Sequence, residues 1–246
     1  MIETFAKKLE DVKDLPEKVV KEAVFGSQFH TICSGGAYLN PDYIELFERF
    51  GTQILQGYGM TECSPVISTT VAWNVKKNSV GQLLPNCEAK TVDGELWVRG
   101  SSVMQGYYKM PEETKTALKD GWLCTGDLGY VDEERFIYLT GRKKNLIITK
   151  NGENVSPEEL ENKLSSSRLV QEVLVREAKG VIEAEIYPDE EYAKKQGLER
   201  EEEVRVELQK LIDEYNQGAP AYKKIYSLII REKEFEKTAS RKIKRY

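Results

Sequence analysis

The spacing of apolar residues changes character along this chain, and the change divides it. Residues 1–24 carry charges at helical spacing, with Pro16 splitting them into two pieces. Phe29 to Cys33 reads as a short buried strand running into the turn Ser34-Gly35-Gly36-Ala37. Asn40 then caps a helix that has Pro41 at its first position. Leu39 and Ile44 are placed to staple its start. Ile44, Phe47 and Phe50 form its apolar stripe, and Gly51 ends it. Thr52 to Leu55 is the next strand. It delivers Gln56-Gly57-Tyr58-Gly59-Met60-Thr61-Glu62. Strand, glycine turn, helix, strand, glycine turn is the rhythm of an α/β sheet with ligand loops at the carboxyl ends of its strands, so both turns can face one crevice.

From residue 80 the character changes to short antiparallel strands. Glu88–Val92 and Glu95–Arg99 read as strands joined by the hairpin signal Asp93-Gly94. Pro111 opens a helix to about Leu118, with acids in its first turn. Tyr130 to Leu139 reads as two strands around Asp132-Glu133-Glu134. Asn145–Thr149 is a further strand. Ser156-Pro157-Glu158-Glu159 predicts a capping box, with Val155 and Leu160 as its staple. Strands at 170–175 and 181–187 follow, joined by Ala178-Lys179-Gly180. Then comes an amphipathic helix with Val204, Leu208, Leu211, Ile212 and Tyr215 on one stripe, whose Arg200-Glu201-Glu202-Glu203 start reads as a solvated face. A last strand, Ile225–Arg231, leads to a basic tail. The fold class is therefore α/β with a β-rich subdomain, followed by a small α+β domain. The boundaries are 1–143 and 144–246.

Composition removes several function classes. At 246 residues, 40% hydrophobic and 31% charged, the chain can bury real cores. A net charge of −5 argues against a nucleic-acid surface. No run approaches the roughly eighteen apolar residues of a membrane span, and the start, Met-Ile-Glu-Thr-Phe-Ala-Lys-Lys, lacks an apolar signal core. Cys33, Cys63, Cys87 and Cys124 are scattered singly, and His30 is the one histidine, so a zinc site is not expected. Reduced thiols fit a cytoplasmic protein. His30 reads as structural.

Gly126-Asp127 places a carboxylate on one tight turn, and Gly141-Arg142, fifteen residues on, places a guanidinium on another. The hairpin between them should bring the two together. A carboxylate accepts from a ribose diol, and a guanidinium donates to hydroxyls and phosphate, which suits a nucleotide. In Gly57-Tyr58-Gly59-Met60-Thr61-Glu62 the glycines should expose an aromatic ring for base stacking. Thr61 offers phosphate a hydroxyl, and Glu62 offers Mg²⁺ a carboxylate. The bland alternative is a buried tyrosine in a tight loop. Ser34-Gly35-Gly36-Ala37 alone is an ordinary turn that also lets backbone approach a base edge.

These stretches, with Gly121-Trp122-x-x-Thr125-Gly126-Asp127 and Gly141-Arg142-Lys143-Lys144, resemble the motifs of adenylate-forming enzymes: acyl-CoA synthetases, peptide-synthetase adenylation domains and luciferases. The segment Thr149 to Pro157 looks most like fatty acyl-CoA synthetases. The resemblance implies that Gly35, Gly36 and Ala37 border the adenine and acyl pocket. Gly57, Tyr58 and Gly59 meet the adenine, Thr61 the α-phosphate and Glu62 magnesium. Asp127 and Arg142 bind the ribose. Lys144 falls on the hinge about which the C-terminal domain swings, and Gly152 on the path of the CoA pantetheine. In the tail Lys237-Thr238-Ala239-Ser240-Arg241-Lys242-Ile243-Lys244-Arg245, Lys242 falls on the catalytic lysine. The family's glycine before it is Arg241 here, which puts adenylation strength in question. The family's phosphate-clamping loop has no counterpart between Met1 and His30.

The resemblance therefore implies the C-terminal portion of a fatty acid–CoA ligase, lacking the N-terminal half of the same enzyme and inactive alone. Its substrates would be ATP, a fatty acid or other carboxylate, and CoA; its nucleotide product would be AMP. Two other readings stand: a non-catalytic nucleotide-binding or interaction fragment, and a ligase serving an acyl carrier protein.

Overall fold

The computed structural model describes residues 2–238 and 242–245. They form two compact units, Met1–Leu139 and Thr140–Tyr246, each with its own core.

In the first unit, α1 (Ile2–Asp11) and α2 (Glu17–Val24) meet at Pro16, which caps α2. Next come β1 (Thr31–Gly35), α3 (Pro41–Arg49) and β2 (Gln53–Gly59). Asn40 accepts from the Asp42 amide at 2.9 Å to cap α3, and Gly51 turns the chain away at φ +66°. Phe47, Phe50, Ile54 and Leu9 form the core between α1, α3 and the sheet. β3 (Val66–Thr69) and β4 (Gln82–Leu83) complete a sheet of order β1-β2-β3-β4, in which β1 and β2 are parallel. β1 is exposed and half-buried by turns rather than buried, because it is an edge strand whose inward residue Ile32 packs on the helical core while Thr31 and Cys33 are exposed. His30 precedes the strand and is exposed, its Nδ1 3.2 Å from Lys21 Nζ.

The β-rich part holds β5 (Cys87–Val92), β6 (Glu95–Gly100), α4 (Pro111–Ala117), β7 (Leu118–Lys119), β8 (Trp122–Val131) and β9 (Ile137–Arg142). Asp93 and Gly94 both take positive φ, 50° and 79°, as a two-residue hairpin turn matched to strand twist requires. The sheet runs β5-β6-β8-β7, with β9 also on β8. On it Lys90 lies 5.3 Å from the Trp97 ring and 4.2 Å from that of Trp122. The turn before β9 is fixed by Asp132, which accepts from the Phe136 amide and from Lys76, both at 2.8 Å.

In the second unit, β10 (Ile147–Ile148) and β11 (Asn154–Val155) form a short hairpin. The strand expected over Asn145–Thr149 shrinks to β10, because Lys143–Asn145 form a single helical turn. α5 (Pro157–Leu164), β12 (Val170–Ala178), β13 (Val181–Pro188), α6 (Glu190–Lys195), α7 (Glu201–Gly218) and β14 (Ile225–Ile230) follow. β12 and β13 are antiparallel, and β14 lies parallel on β13. Leu160, Leu164, Leu208, Ile212 and Ile186 form this unit's core. The capping box at Ser156 does not form. Ser156 Oγ donates to Glu158 at 3.0 Å, and Glu159 is drawn to Lys223 at 2.7 Å. At the start of α7 Arg200, Glu201 and Glu202 are exposed as expected, while Glu203 turns back to accept from the Arg200 amide at 3.0 Å. Among the described residues no helix is long and apolar enough to cross a membrane.

Candidate active site

Register sets the first half of the site. β1 and β2 run parallel with Gly35 beside Gly57, so the two glycine segments end side by side at the carboxyl ends of adjacent strands. A Cβ on Gly35 would stand 2.9 Å from the Gly57 carbonyl oxygen, and one on Gly59 would stand 1.8 Å from that of Pro65. Both positions therefore admit only glycine at this spacing. Gly36, at φ +80°, has open space, and Ala37 beside it is exposed. Thr61 starts a single helical turn after β2 and is exposed. Glu62 in that turn accepts from the Tyr107 hydroxyl at 2.7 Å, and its own carbonyl accepts from the Met104 amide at 2.8 Å. The hydrogen bond to Glu62, then burial, pushes the Tyr107 phenol up from its ordinary range.

The tyrosine of this segment departs from expectation. β2 continues through Gly59, so Tyr58 is a strand residue and only 8% exposed. Its ring is part of the core with Ile67, Leu96 and Leu123, and is not presented for stacking. The hydroxyl donates to Asp127 Oδ2 at 2.7 Å. A buried hydrogen bond to a charged acceptor contributes about 1.5–3 kcal/mol.

Asp127 is not on a turn either; it lies inside β8 and is 8% exposed. Trp97 of β6 pairs with Cys124 and Glu95 with Leu128, so β8 advances four residues where β6 advances two. The excess is a bulge over Thr125–Asp127, a device that re-aims side chains from an otherwise regular strand. Gly126 supplies its φ of +71°. Two side chains pin the bulge. Thr125 Oγ1 donates to the Leu96 carbonyl at 2.7 Å and accepts from the Asp127 amide at 3.1 Å. Glu95, 5% exposed, accepts from the Gly126 amide at 2.9 Å. Neither Thr125 nor Glu95 received a role from the sequence, although Thr125 lies inside a segment that carries the resemblance.

The remaining residues belong to the second unit. Arg142 ends β9, one residue after Gly141, which is also within the strand rather than on a turn. A Cβ on Gly141 would stand 2.0 Å from Ser156 Oγ. Lys144 lies in the single helical turn 143–145, whose Asn145 donates to Glu158 at 2.5 Å. Gly152 takes φ +80° in the turn between β10 and β11 and has nothing within 4 Å of a built Cβ. Lys242 is exposed on an antiparallel pairing of the last residues. The Thr238 amide donates to the Lys242 carbonyl at 2.8 Å, the Lys242 amide to Thr238 Oγ1 at 3.2 Å, and the Lys244 amide to the Glu236 carbonyl at 2.9 Å. Arg241 lies outside the described residues.

Among the described residues no three acidic, cysteine or histidine side chains gather as metal ligands. Glu62 offers one hard oxygen donor. That set fits an ion carried in by phosphates, such as magnesium, which keeps waters and needs few protein ligands.

A family model described as AMP-binding enzyme matches residues 2–108, and one described as AMP-binding enzyme C-terminal domain matches residues 144–246. A long-chain-fatty-acid–CoA ligase of Bacillus subtilis is 38% identical over an alignment of 163 residues that covers 61% of this chain and 29% of that protein. The o-succinylbenzoate CoA synthetase of Bacillus subtilis, solved with an acyl-adenylate intermediate, is similar in structure with a TM-score of 0.74 and 26% identity. The match covers 97% of this chain and 52% of that one. The same synthetase in complex with ATP and magnesium gives a TM-score of 0.72 at 28% identity, covering 96% and 48%. The chain thus spans about half the length of these solved structures and under a third of the curated ligase. With both family models matched in chain order and the glycine and carboxylate motifs joined in one cluster, the chain belongs to the AMP-binding, adenylate-forming enzymes.

Proposed function

We propose that this chain is the C-terminal portion of an AMP-forming fatty acid–CoA ligase. In this reading residues 1–143 contribute the ribose and adenine side of the nucleotide site, and residues 144–246 are the mobile C-terminal domain. The observation that carries it is the 2.7 Å hydrogen bond from Tyr58 to Asp127. It joins two nucleotide-binding segments 69 positions apart into one buried cluster. The reaction has two halves. A carboxylate oxygen attacks the α-phosphorus of ATP, the bond to the bridging oxygen breaks, and pyrophosphate leaves. The CoA thiol then attacks the acyl carbon, loses its proton, and AMP departs with the electron pair.

Each residue has a role that its setting supports. Asp127 accepts from the ribose hydroxyls with Oδ2 already oriented by Tyr58. Tyr58 therefore serves through its hydroxyl, and the base lies along the Gly57–Gly59 edge beside Gly35, Gly36 and Ala37. Arg142 donates to the ribose. Thr61 donates to the α-phosphate. Glu62 holds magnesium, which when bound offsets phosphate charge. Lys242 stabilises charge spreading over the transferring group. Lys144 is the hinge, and Gly152 keeps the pantetheine path clear. Similarity to a long-chain-fatty-acid–CoA ligase supports the fatty acid and CoA as substrates.

The test is calorimetric titration of the chain with AMP, beside Asp127→Ala and Thr61→Ala, followed by pyrophosphate exchange. Binding that Asp127→Ala weakens by about tenfold or more, with no exchange by the chain alone, is the expected result. Equal AMP affinity in the wild type and Asp127→Ala would overturn the assignment.

A further inference from the structure

The last residues of the second unit are held by charge rather than by a core. Two carboxylates that belong to other elements reach the two legs of the pairing that carries Lys242. On the incoming leg, Glu172 of β12, with its side chain 9% exposed, is ion-paired with Lys237 and accepts from the Phe235 amide at 2.8 Å. That pairing, then a second bond to Glu234, raises the Lys237 ammonium above its ordinary range. Phe235 is itself buried beneath the Arg231 guanidinium, 4.2 Å from its ring. On the outgoing leg, Glu161 of α5, 12% exposed, is ion-paired with Arg245, which also donates to the Val175 carbonyl at 3.4 Å. Glu161 further accepts from the Val175 amide at 2.7 Å.

A carboxylate buried this far is costly unless paired and hydrogen-bonded. Neither one is among the residues of the hydrophobic core, which draws on β10 to β14 and on α5, α6 and α7. Both spend their interactions on the tail and on backbone beside it. Lys237 and Arg245 bracket Lys242, and between them the backbone bonds from Thr238 and Glu236 fix only the local shape. Removing either ion pair therefore loosens one leg of the pairing without opening the core, since among the described residues Arg245 keeps only Glu158 at 3.7 Å and the Val175 carbonyl, and Lys237 only Glu234 within the tail.

We infer that Glu172 and Glu161 are positioning residues that clamp the two legs of the Lys242 segment, and that they set how often Lys242 is presented to the α-phosphate. This rests on the adenylating role proposed above for Lys242. Neither carboxylate touches substrate; each acts through Lys237 or Arg245. Their effect belongs to the first half-reaction and to its turnover, since a loose tail lowers the fraction of time Lys242 is in place and leaves the ribose and adenine contacts alone.

The experiment uses Glu172→Gln, Glu161→Gln and the double variant. Each amide keeps an oxygen for the Phe235 or Val175 backbone donor and removes only the charge. Limited trypsin digestion of the chain, read by mass spectrometry, should show cleavage after Lys237 and Lys242 rising about tenfold in the double variant. Cleavage within residues 144–230 and the thermal midpoint should stay as in wild type. In the adenylation-competent enzyme containing this chain, kcat for acyl-AMP formation should fall about tenfold with the ATP KM and the CoA step unchanged. Wild-type tail cleavage in the double variant would overturn the clamp. A loosened tail with full adenylation, in an enzyme that Lys242→Ala cripples, would overturn the positioning role. If Lys242→Ala is itself harmless while the tail loosens, the clamp stands and the adenylating assignment of Lys242 is what fails.

Discussion

Asp127 and Lys242 are both polar groups with proposed roles at the nucleotide, yet the molecule holds them by opposite means. Asp127 is inside a ten-residue strand, 8% exposed, aimed by a bulge and pinned by Thr125, Glu95 and Tyr58. Lys242 is exposed on a terminal pairing with backbone bonds to Thr238 and ion pairs at either end. The first arrangement is rigid because moving Asp127 would break the hydrogen bonds with Tyr58, Thr125 and Glu95 that hold the bulge. The second can be released by breaking contacts between charges. A group that grips the nucleotide through both half-reactions gains from the former. One required in a single half-reaction can afford the latter.

The comparison breaks most visibly at Lys242. Lys242→Ala in the competent enzyme should lower acyl-AMP formation by about 10²-fold or more, the scale of losing a transition-state donor. CoA attack on supplied acyl-AMP should be nearly unchanged. Single-turnover assays of each half-reaction decide it, and equal damage to both would remove the contrast. Asp127→Ala comes next. It removes acceptors for the ribose and should weaken AMP binding on the order of tenfold to a hundredfold, in titrations of the chain itself.

Gly126→Ala tests whether the bulge does the aiming. A built Cβ there meets nothing within 4 Å, so any loss must come from the φ of +71°. A non-glycine residue in that region costs about 1–2 kcal/mol. A thermal midpoint lowered by a few degrees with weaker AMP binding is expected. Full retention of both would mean the strand tolerates another path. Tyr58→Phe is milder, a several-fold loss of AMP affinity, because one buried hydrogen bond is lost and the ring remains.

The smallest effect is one of pH. Lys76 beside Asp132, then the Phe136 amide, holds that carboxyl below its ordinary value. For a lowered carboxylate the stabilisation is fully present above the unfolded value, about 3.9, and is lost as pH falls through the folded one. Lys76→Met should shrink this acid dependence in circular-dichroism melts between pH 7 and 3. An unchanged profile would assign the dependence to other carboxylates.

What could be read from sequence was local. Asn40-Pro41, Asp93-Gly94 and the stripe Val204-Leu208-Ile212 state their geometry within a few residues, and each forms as read. Failures arose where distant residues decide. Ser156 lost its capping box because Lys223, 64 positions from Glu159, takes that carboxylate. Tyr58 is covered because β2 continues through the glycines and its ring joins a core assembled from both sheets. Thr125-Gly126-Asp127 looks like a turn in one dimension. Only the register with β6 shows that it is a bulge, and register depends on a partner strand about thirty residues away.

The pairing of Lys90 with Trp97 and Trp122 has a practical consequence. The chain's three tryptophans, Trp73, Trp97 and Trp122, all lie in the unit Met1–Leu139. Trp73 is 87% exposed, whereas the other two are half-buried with an ammonium close to their rings. Indole emission will therefore report on one half of the molecule alone. Its shift on denaturation will record the β-rich sheet separating from Lys90, over a solvent-quenched background from Trp73. The second half is optically silent at that wavelength. A tryptophan introduced at Tyr192, which packs part-buried against the second unit's core with the Arg168 guanidinium 4.7 Å from its ring, would give that half a signal of its own.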